Sequence, residues 1–188
     1  FKGLPKEYDL VINQPPATTK STVISIMFPA WCWTRMANCR IITASYAHSL
    51  AMDLARKSRD VIKCELYGKL FPNIAIREDQ DTKVYFANTA KGDRFSVGVN
   101  GSVLGMHGHF LIVDDPLDPN QAMSEADLKN ADNWMRDTLP SRKVNKQVAV
   151  TILVMQRLHE EDPAGVMVKE SKKLGASPVK HICLPAEL

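Results

Sequence analysis

No run of about 18 apolar residues occurs, the length a helix needs to cross a bilayer, so no membrane span is expected. The first residues, FKGLPKEYD, lack the positive, apolar and small-residue order of an export signal, which leaves a cytosolic setting as the expectation. The four cysteines, Cys32, Cys39, Cys64 and Cys183, form no CxxC pair. Neither a zinc site nor a dithiol redox motif is therefore indicated, and reduced, mostly buried thiols are expected. Charge of either sign is scarce in net terms, since 24 Lys plus Arg against 21 Asp plus Glu leave +3. That is too little to demand a nucleic-acid partner, although a local basic face could still hold phosphates. Repeats and linkers are also missing. What is present is a chain of 188 residues, 45% hydrophobic and 24% charged. These proportions exclude disordered, collagenous and low-complexity classes, and the length suits one domain.

Strand-like and helical patterns alternate along the chain. DLVIN (Asp9 to Asn13) reads as a strand, QPPATTKST as a loop, and the residues from Ser21 through FPAWCW as a helix that Pro29 kinks or breaks. CRIITAS (Cys39 to Ser45) reads as a second buried strand. The following AHSLAMDLARKSRDVIKCELYGKLF reads as one long helix, with Leu50, Leu54, Val61, Ile62 and Leu66 at helical spacings. KVYFANTAKGDRFSVGV alternates around a turn at Lys91 to Asp93, which predicts an antiparallel hairpin at a sheet edge. HFLIVDDP predicts a central parallel strand, NQAMSEADLKNADNWMRDTL a helix, and QVAVTILVMQ the centre of the sheet. The pattern as a whole predicts an α/β fold with a doubly wound, mainly parallel sheet, whose ligand lies beyond the carboxyl ends of the strands. Lys20, the pair Asp114 and Asp115, and the pair Gln156 and Arg157 all fall where strands end.

A phosphate-binding loop needs inward-turned backbone N–H groups, a lysine that reaches the β and γ phosphates, and a hydroxyl at the start of the next helix for Mg²⁺. TTKST supplies the last two as Lys20 and Ser21. The GxxxxGK[ST] pattern asks for glycines at positions 14 and 19, where this chain has Gln14 and Thr19. A β-branched residue resists positive φ at a cost of ~1 kcal/mol or more. The competing interpretation is an ordinary capped helix, with Ser21 or Thr22 near the cap and Lys20 in solvent. An apolar strand that delivers Asp114 is a usual source of the carboxylate that serves Mg²⁺ in nucleoside triphosphatases, and Asp115 would then orient or deprotonate the attacking water. The plain alternative for DDP is a strand end and turn.

The sequence resembles the ATPase domain of the large terminase subunit of tailed bacteriophages, which packages viral DNA. The likeness rests on PPATTKS (Pro15 to Ser21), FPAWCW, ITASYAHSLA, RKSRDVI, FANTAKGDR, GSVLGMHG, LIVDDP, the Ser124 to Leu139 helix ending in TLPSR, and VMQRLHEED followed by AG, and it covers nearly the whole chain. It implies a three-layer P-loop NTPase of the additional-strand type, occupying residues 1–188 as a single domain. It also implies that Pro16, Ala17, Thr18, Thr19, Lys20, Ser21 and Thr22 bind the triphosphate of ATP, and that Ser21 and Asp114 hold Mg²⁺. Asp115 stands where many relatives have glutamate, and Gln156 is similar to the polar sensor that follows γ-phosphate loss. Relatives carry an arginine in the loop, which Ala17 replaces here, so Arg142 and Arg157 are the candidates for that charge, with a neighbouring subunit's nucleotide as one target and a surface salt bridge as the bland alternative. The implied partners are double-stranded DNA, the portal protein and the small terminase subunit. A ring of copies is implied during packaging, with a monomer open as the isolated state, in the host cytoplasm and transiently docked on the procapsid portal. The adenine-binding segment and the nuclease domain of relatives are expected to lie outside this chain.

Other residues attract lesser expectations. His107 matches a loop histidine of relatives, with His109 and Leu104 replacing that loop's aspartate and threonine. It is read as a loop hydrogen-bonder, against a phosphate or DNA contact. His159 reads as a helix-start residue. Trp31, Trp33 and Trp134 read as core or interface rather than base-stacking groups, and Lys169, Lys172 and Lys173 as a solvated helix face against a DNA-tracking surface. Two other functions stay open: a helicase-like ATPase without packaging, and a degenerate P-loop module that serves assembly without catalysis.

Overall fold

The β-branched runs become strands because both faces of each must be buried, and the amphipathic segments between them supply the cover. The computed structural model describes residues 5–103 and 105–185. In chain order the elements are β1 (Asp9–Asn13), a π-helical turn (Thr22–Met27) running into α1 (Phe28–Arg35), β2 (Arg40–Ser45), α2 (His48–Lys63), α3 (Glu65–Leu70), β3 (Ile76–Asp81), β4 (Tyr85–Asn88) and β5 (Asp93–Gly98). Then come β6 (Phe110–Asp114), α4 (Glu125–Asn133) continuing through a π turn and a 3₁₀ turn to Arg142, β7 (Val150–Met155), α5 (Pro163–Glu170) and β8 (Val179–Cys183).

All eight strands form one sheet in the order β3-β4-β5-β2-β6-β7-β1-β8. From β5 to β8 every pairing is parallel, and β3, β4 and β5 pair antiparallel. One strand, β7, stands between β1 and β6, and Asn13 aligns with Met155 while Asp114 aligns with Val154. The carboxyl ends of β1, β7 and β6 therefore lie level along one rim. Alternate residues of the strands feed two cores. Ile12, Ile112, Ile152 and Val154 pack with Trp33, Ala55 and Tyr67 from α1, α2 and α3. Val11, Leu111, Val113, Leu153 and Met155 pack on the other face with Trp134, Leu139 and Ala164 from the α4 and α5 side. The result is the three-layer α/β arrangement expected from the pattern. Among the described residues no helix is long and apolar enough to cross a membrane.

Several elements differ from the expectations. Helix α2 does not run on to Phe71: Cys64 takes an extended conformation, and its Sγ accepts the N–H of Tyr67 to start α3. The anticipated edge hairpin forms as β4 and β5, but β3 lies outside it. The β3 sequence IREDQD is too charged to read as a strand, and charge of this kind keeps an open edge from pairing with other chains. β7 is interior and buried, yet the middle of the sheet falls between β2 and β6, and β8 adds an edge strand beyond β1. Pro29 neither stops nor separates the first helix. The chain enters it with a π turn, whose bonds reach one residue further back than α-helical ones, as in Phe28 N–H to the Val23 carbonyl. Trp33 and Trp134 are core, whereas Trp31 is 56% exposed. Leu104 lies outside the described residues.

The amino ends of the strands carry their own buried charge cluster. Asp9 accepts from Lys6 at 2.7 Å, from Lys143 at 3.1 Å and from the Thr151 N–H at 2.7 Å. Burial nonetheless pushes the Lys143 ammonium down to about 8. Between about 8 and the ordinary lysine value of 10.5 the unfolded chain therefore binds more protons than the folded one, so the contribution of Lys143 to stability rises with pH. Wild type is expected to gain unfolding free energy over Lys143→Met across that window in denaturant titrations. A difference that stays flat or shrinks would contradict this reading.

Candidate functional site

The loop between β1 and the π turn begins where Asn13 is tied to β7 by its Nδ2, which donates to the Met155 carbonyl at 3.0 Å. From there the chain must reverse into a helix within seven residues, Gln14 to Lys20. It does so through two left-handed residues, Ala17 and Thr19, each with φ of 60°. Thr18 Oγ1 closes the curl by donating to the Pro15 carbonyl at 2.7 Å. Left-handed residues in a tight loop turn successive N–H groups to one concave side, the geometry of anion-binding nests. The shape that glycines usually permit is thus kept without them, at a strain of about 1 to 3 kcal/mol per residue. Position 14 needs no glycine, because the loop's left-handed residues are Ala17 and Thr19, and Gln14 is not among them.

Lys20 is 8% exposed, which removes the interpretation of a capped helix with a solvated lysine. Its Nζ meets Asp115 Oδ2 at 2.8 Å. Ser21 makes no helix-capping bond. Its Oγ instead donates to Asp114 Oδ1 at 3.0 Å, and Ser25 Oγ donates to Oδ2 of the same carboxylate at 2.6 Å. Asp114 is 2% exposed. Burial drives its carboxyl above the ordinary range, the two serine hydroxyls pull it back, and Asp115 raises it further while Lys20 lowers it. Asp115 itself sits in a left-handed conformation, φ 46°, with its N–H on the Val154 carbonyl. That turn aims the carboxylate away from the strand and back to Lys20. The structure therefore brings Lys20, Ser21, Asp114 and Asp115 together at the carboxyl rim of β1 and β6.

This donor set fits a magnesium triphosphate. A hydroxyl and a carboxylate 3.0 Å apart are hard oxygen ligands of the kind Mg²⁺ takes, and the curled loop and Lys20 supply N–H and ammonium donors for phosphate oxygens. Pro16, Ala17 and Thr19 are exposed on the loop, Thr18 is half-buried, and Thr22 is exposed at the start of the π turn. Gln156 follows β7 at the same rim, one residue past Met155, and is half-buried.

Neither arginine joins this cluster. Arg157 is held by its own turn, with Nε on Asp162 Oδ2 at 3.0 Å and Nη2 on the His159 carbonyl at 2.9 Å. Arg142 ends the 3₁₀ turn beside Gly108, at the amino end of β6. That places it about one strand length, roughly 16 Å, from the rim that carries Lys20. His107 is exposed and takes part in no hydrogen bond among the described residues, so it is not the loop hydrogen-bonder expected. His159 precedes α5 and accepts the Glu161 N–H at its Nδ1.

Sequence reasoning missed Ser25 and Arg94. Ser25 lies one helical turn after Ser21, so both hydroxyls face β6, and that spacing was the available signal. Arg94, on β5, is 1% exposed, and its Nη2 donates to the Ser25 carbonyl at 2.9 Å. Burial pushes its pKa down to about 9, and Asp114 works against that fall. Burying a guanidinium costs several kcal/mol after relaxation.

No protein-family model matches the sequence, and no curated protein matches it. Solved structures do resemble the fold. The large terminase ATPase domain of Thermus phage P74-26, in a mutant form, superposes with a TM-score of 0.56 at 12% identity, covering 95% of this chain and 75% of that one. The same ATPase domain without the mutation gives 0.53 at 11% identity, with 94% and 74% coverage. A large terminase from a thermophilic bacteriophage gives 0.52 at 11% identity, with 95% of this chain but 40% of that protein. At such identities the resemblance establishes the α/β P-loop-type fold, and this chain spans well under half of the longer terminase.

The strain in the loop yields a prediction. Thr19→Gly removes a β-branched residue from the left-handed region and is expected to stabilise the protein by about 1 kcal/mol in thermal unfolding. A loss of stability would contradict the loop conformation described.

Proposed function

We propose that this chain hydrolyses ATP with Mg²⁺ as the ATPase part of a viral DNA-packaging motor, which drives double-stranded DNA into procapsids. The observation that carries the proposal is the meeting of Lys20 and Ser21, from the loop after β1, with Asp114 and Asp115, from the end of β6. The fold shared with large terminase ATPase domains supports it. The retained loop shape argues against a degenerate module, since Ala17 and Thr19 bear strain that a purely structural loop would have no reason to keep.

In this proposal the residues from Pro16 to Thr22 wrap the phosphates, and Lys20 exchanges the Asp115 carboxylate for β and γ phosphate oxygens. That exchange frees Asp115 to orient a water and accept its proton. Ser21 and Asp114 hold Mg²⁺, which supplies neutralisation of charge on the phosphate oxygens. Gln156, between the loop and β6, senses departure of the γ phosphate. A cation at that phosphate is worth ~10³ to 10⁵ in rate in related triphosphatases. Within one chain Arg142 lies at the other end of the sheet, so its proposed target is a neighbouring copy in a ring. Arg157 would have to leave Asp162 to serve the same end. The further proposals concern the whole protein: it meets DNA, the portal protein and the small terminase subunit in the host cytoplasm, and docks on the procapsid portal.

Replacing Lys20 with Ala in the full-length protein is expected to lower ATP turnover by at least about a hundredfold, and Asp115→Asn by a similar factor with less effect on nucleotide affinity. Steady-state turnover together with nucleotide titration reads both. Unchanged turnover in Lys20→Ala would remove the catalytic assignment and favour the assembly module. Strand separation without packaging would favour the helicase reading.

A further inference from the structure

The buried arginine on β5 is used by none of the chemistry above. Arg94 makes its bonds through Nη2, to the Ser25 carbonyl at 2.9 Å and to Thr43 Oγ1 at 3.5 Å, and its Nε and Nη1 have no partner among the described residues. These bonds go to neutral oxygens. An uncharged side chain of similar volume would fill the same space without a desolvated cation, so packing alone does not account for it.

Ser25 stands inside the π turn, where the helical hydrogen-bond register is one residue longer than in an α-helix. Its carbonyl accepts from Arg94. The hydroxyl of the same residue donates to Asp114 Oδ2 at 2.6 Å. Ser25 thus joins an arginine on β5 to a carboxylate on β6, through its backbone on one side and its side chain on the other. Asp114 is left with Oδ1 directed to Ser21.

We propose that Arg94 is a positioning residue of the metal site: it holds the Ser25 carbonyl, fixes the π turn that carries Ser25, and so sets the orientation of the Asp114 carboxylate towards Ser21. This rests on the assignment of Ser21 and Asp114 as magnesium ligands under the proposed function. It makes a serine, an arginine 69 residues further on and the β6 carboxylate into one device. Its effect falls on metal use more than on nucleotide binding, because the loop that would hold the phosphates makes no bond to Arg94.

The test compares wild type with Arg94→Met, Arg94→Lys and Ser25→Ala in the full-length protein, each first melted to establish a cooperative transition. Arg94→Met is expected to raise the Mg²⁺ needed for half-maximal ATP turnover about tenfold and to lower kcat by a similar factor, with KM for ATP within about threefold of wild type. Arg94→Lys, which keeps a donor, recovers most of the loss. In the Ser25→Ala background Arg94→Met adds less than about twofold, since both changes break one linkage. Additive losses, or wild-type Mg²⁺ dependence in folded Arg94→Met, would overturn the inference. Amide hydrogen exchange at residues 26–28 supplies an arm independent of catalysis. Exchange there is expected to quicken about tenfold in nucleotide-free Arg94→Met, and unchanged protection overturns the inference even if the protein turns over no ATP. A wild type without turnover overturns the functional reading instead. Should Arg94→Met fail to fold, Arg94→Leu, which also lacks a donor, is measured in its place, with the same expectations.

Discussion

The site depends on a carboxylate that the fold buries and then refuses to leave alone. Asp114 ends an apolar strand at 2% exposure, where an ionised group is costly, and two serine hydroxyls from a different element answer its two oxygens. Those serines sit one turn apart at the entrance of the first helix, so the loop before them cannot move without disturbing β6. The loop in turn delivers Lys20 to Asp115. Five ionic and polar groups are therefore fixed by one crossing between β1 and β6, and β7, which separates the two strands, sets how wide that crossing is.

This arrangement accounts for the strain. Parallel sheets put ligands beyond their carboxyl ends, and the loop that turns there from β1 into the helix does so through left-handed residues. Ala17, Thr19 and Asp115 all adopt positive φ, and all three lie at this rim. The opposite rim holds the Lys6, Asp9 and Lys143 cluster, in which the charges close on one another around a saturated carboxylate. The two ends of the sheet thus differ in kind: one spends its charge on internal ties, the other keeps its charged groups around an open loop.

Much of this was legible in the sequence. The β-branched runs DLVIN, FLIVD and VTILVM gave their strands directly, and Lys20 and Asp114 stood at strand ends for the reason the fold requires. The loop was harder to read because a glycine pattern describes one way to reach positive φ, and this chain reaches it with alanine and threonine. β3 was hidden because an edge strand faces water on both sides and so loses its alternation. The break at Cys64 was hidden because nothing apolar changes there; the capping sulfur acts through geometry alone. Ser25 and Arg94 escaped notice for a third reason. Their roles arise from a bond between a side chain on β5 and a backbone carbonyl 69 residues earlier, and such a bond leaves no mark in a residue pattern.

The central claim is that the ends of β1 and β6 form a single metal and triphosphate site, and paramagnetic broadening tests it most directly. Mn²⁺ added with a non-hydrolysable ATP analogue should broaden the amide signals of residues 16–25 and 111–116 together, and should do so only when both are present. Broadening that spares one of these segments, or that gathers at the Asp9 end of the sheet, would contradict the account.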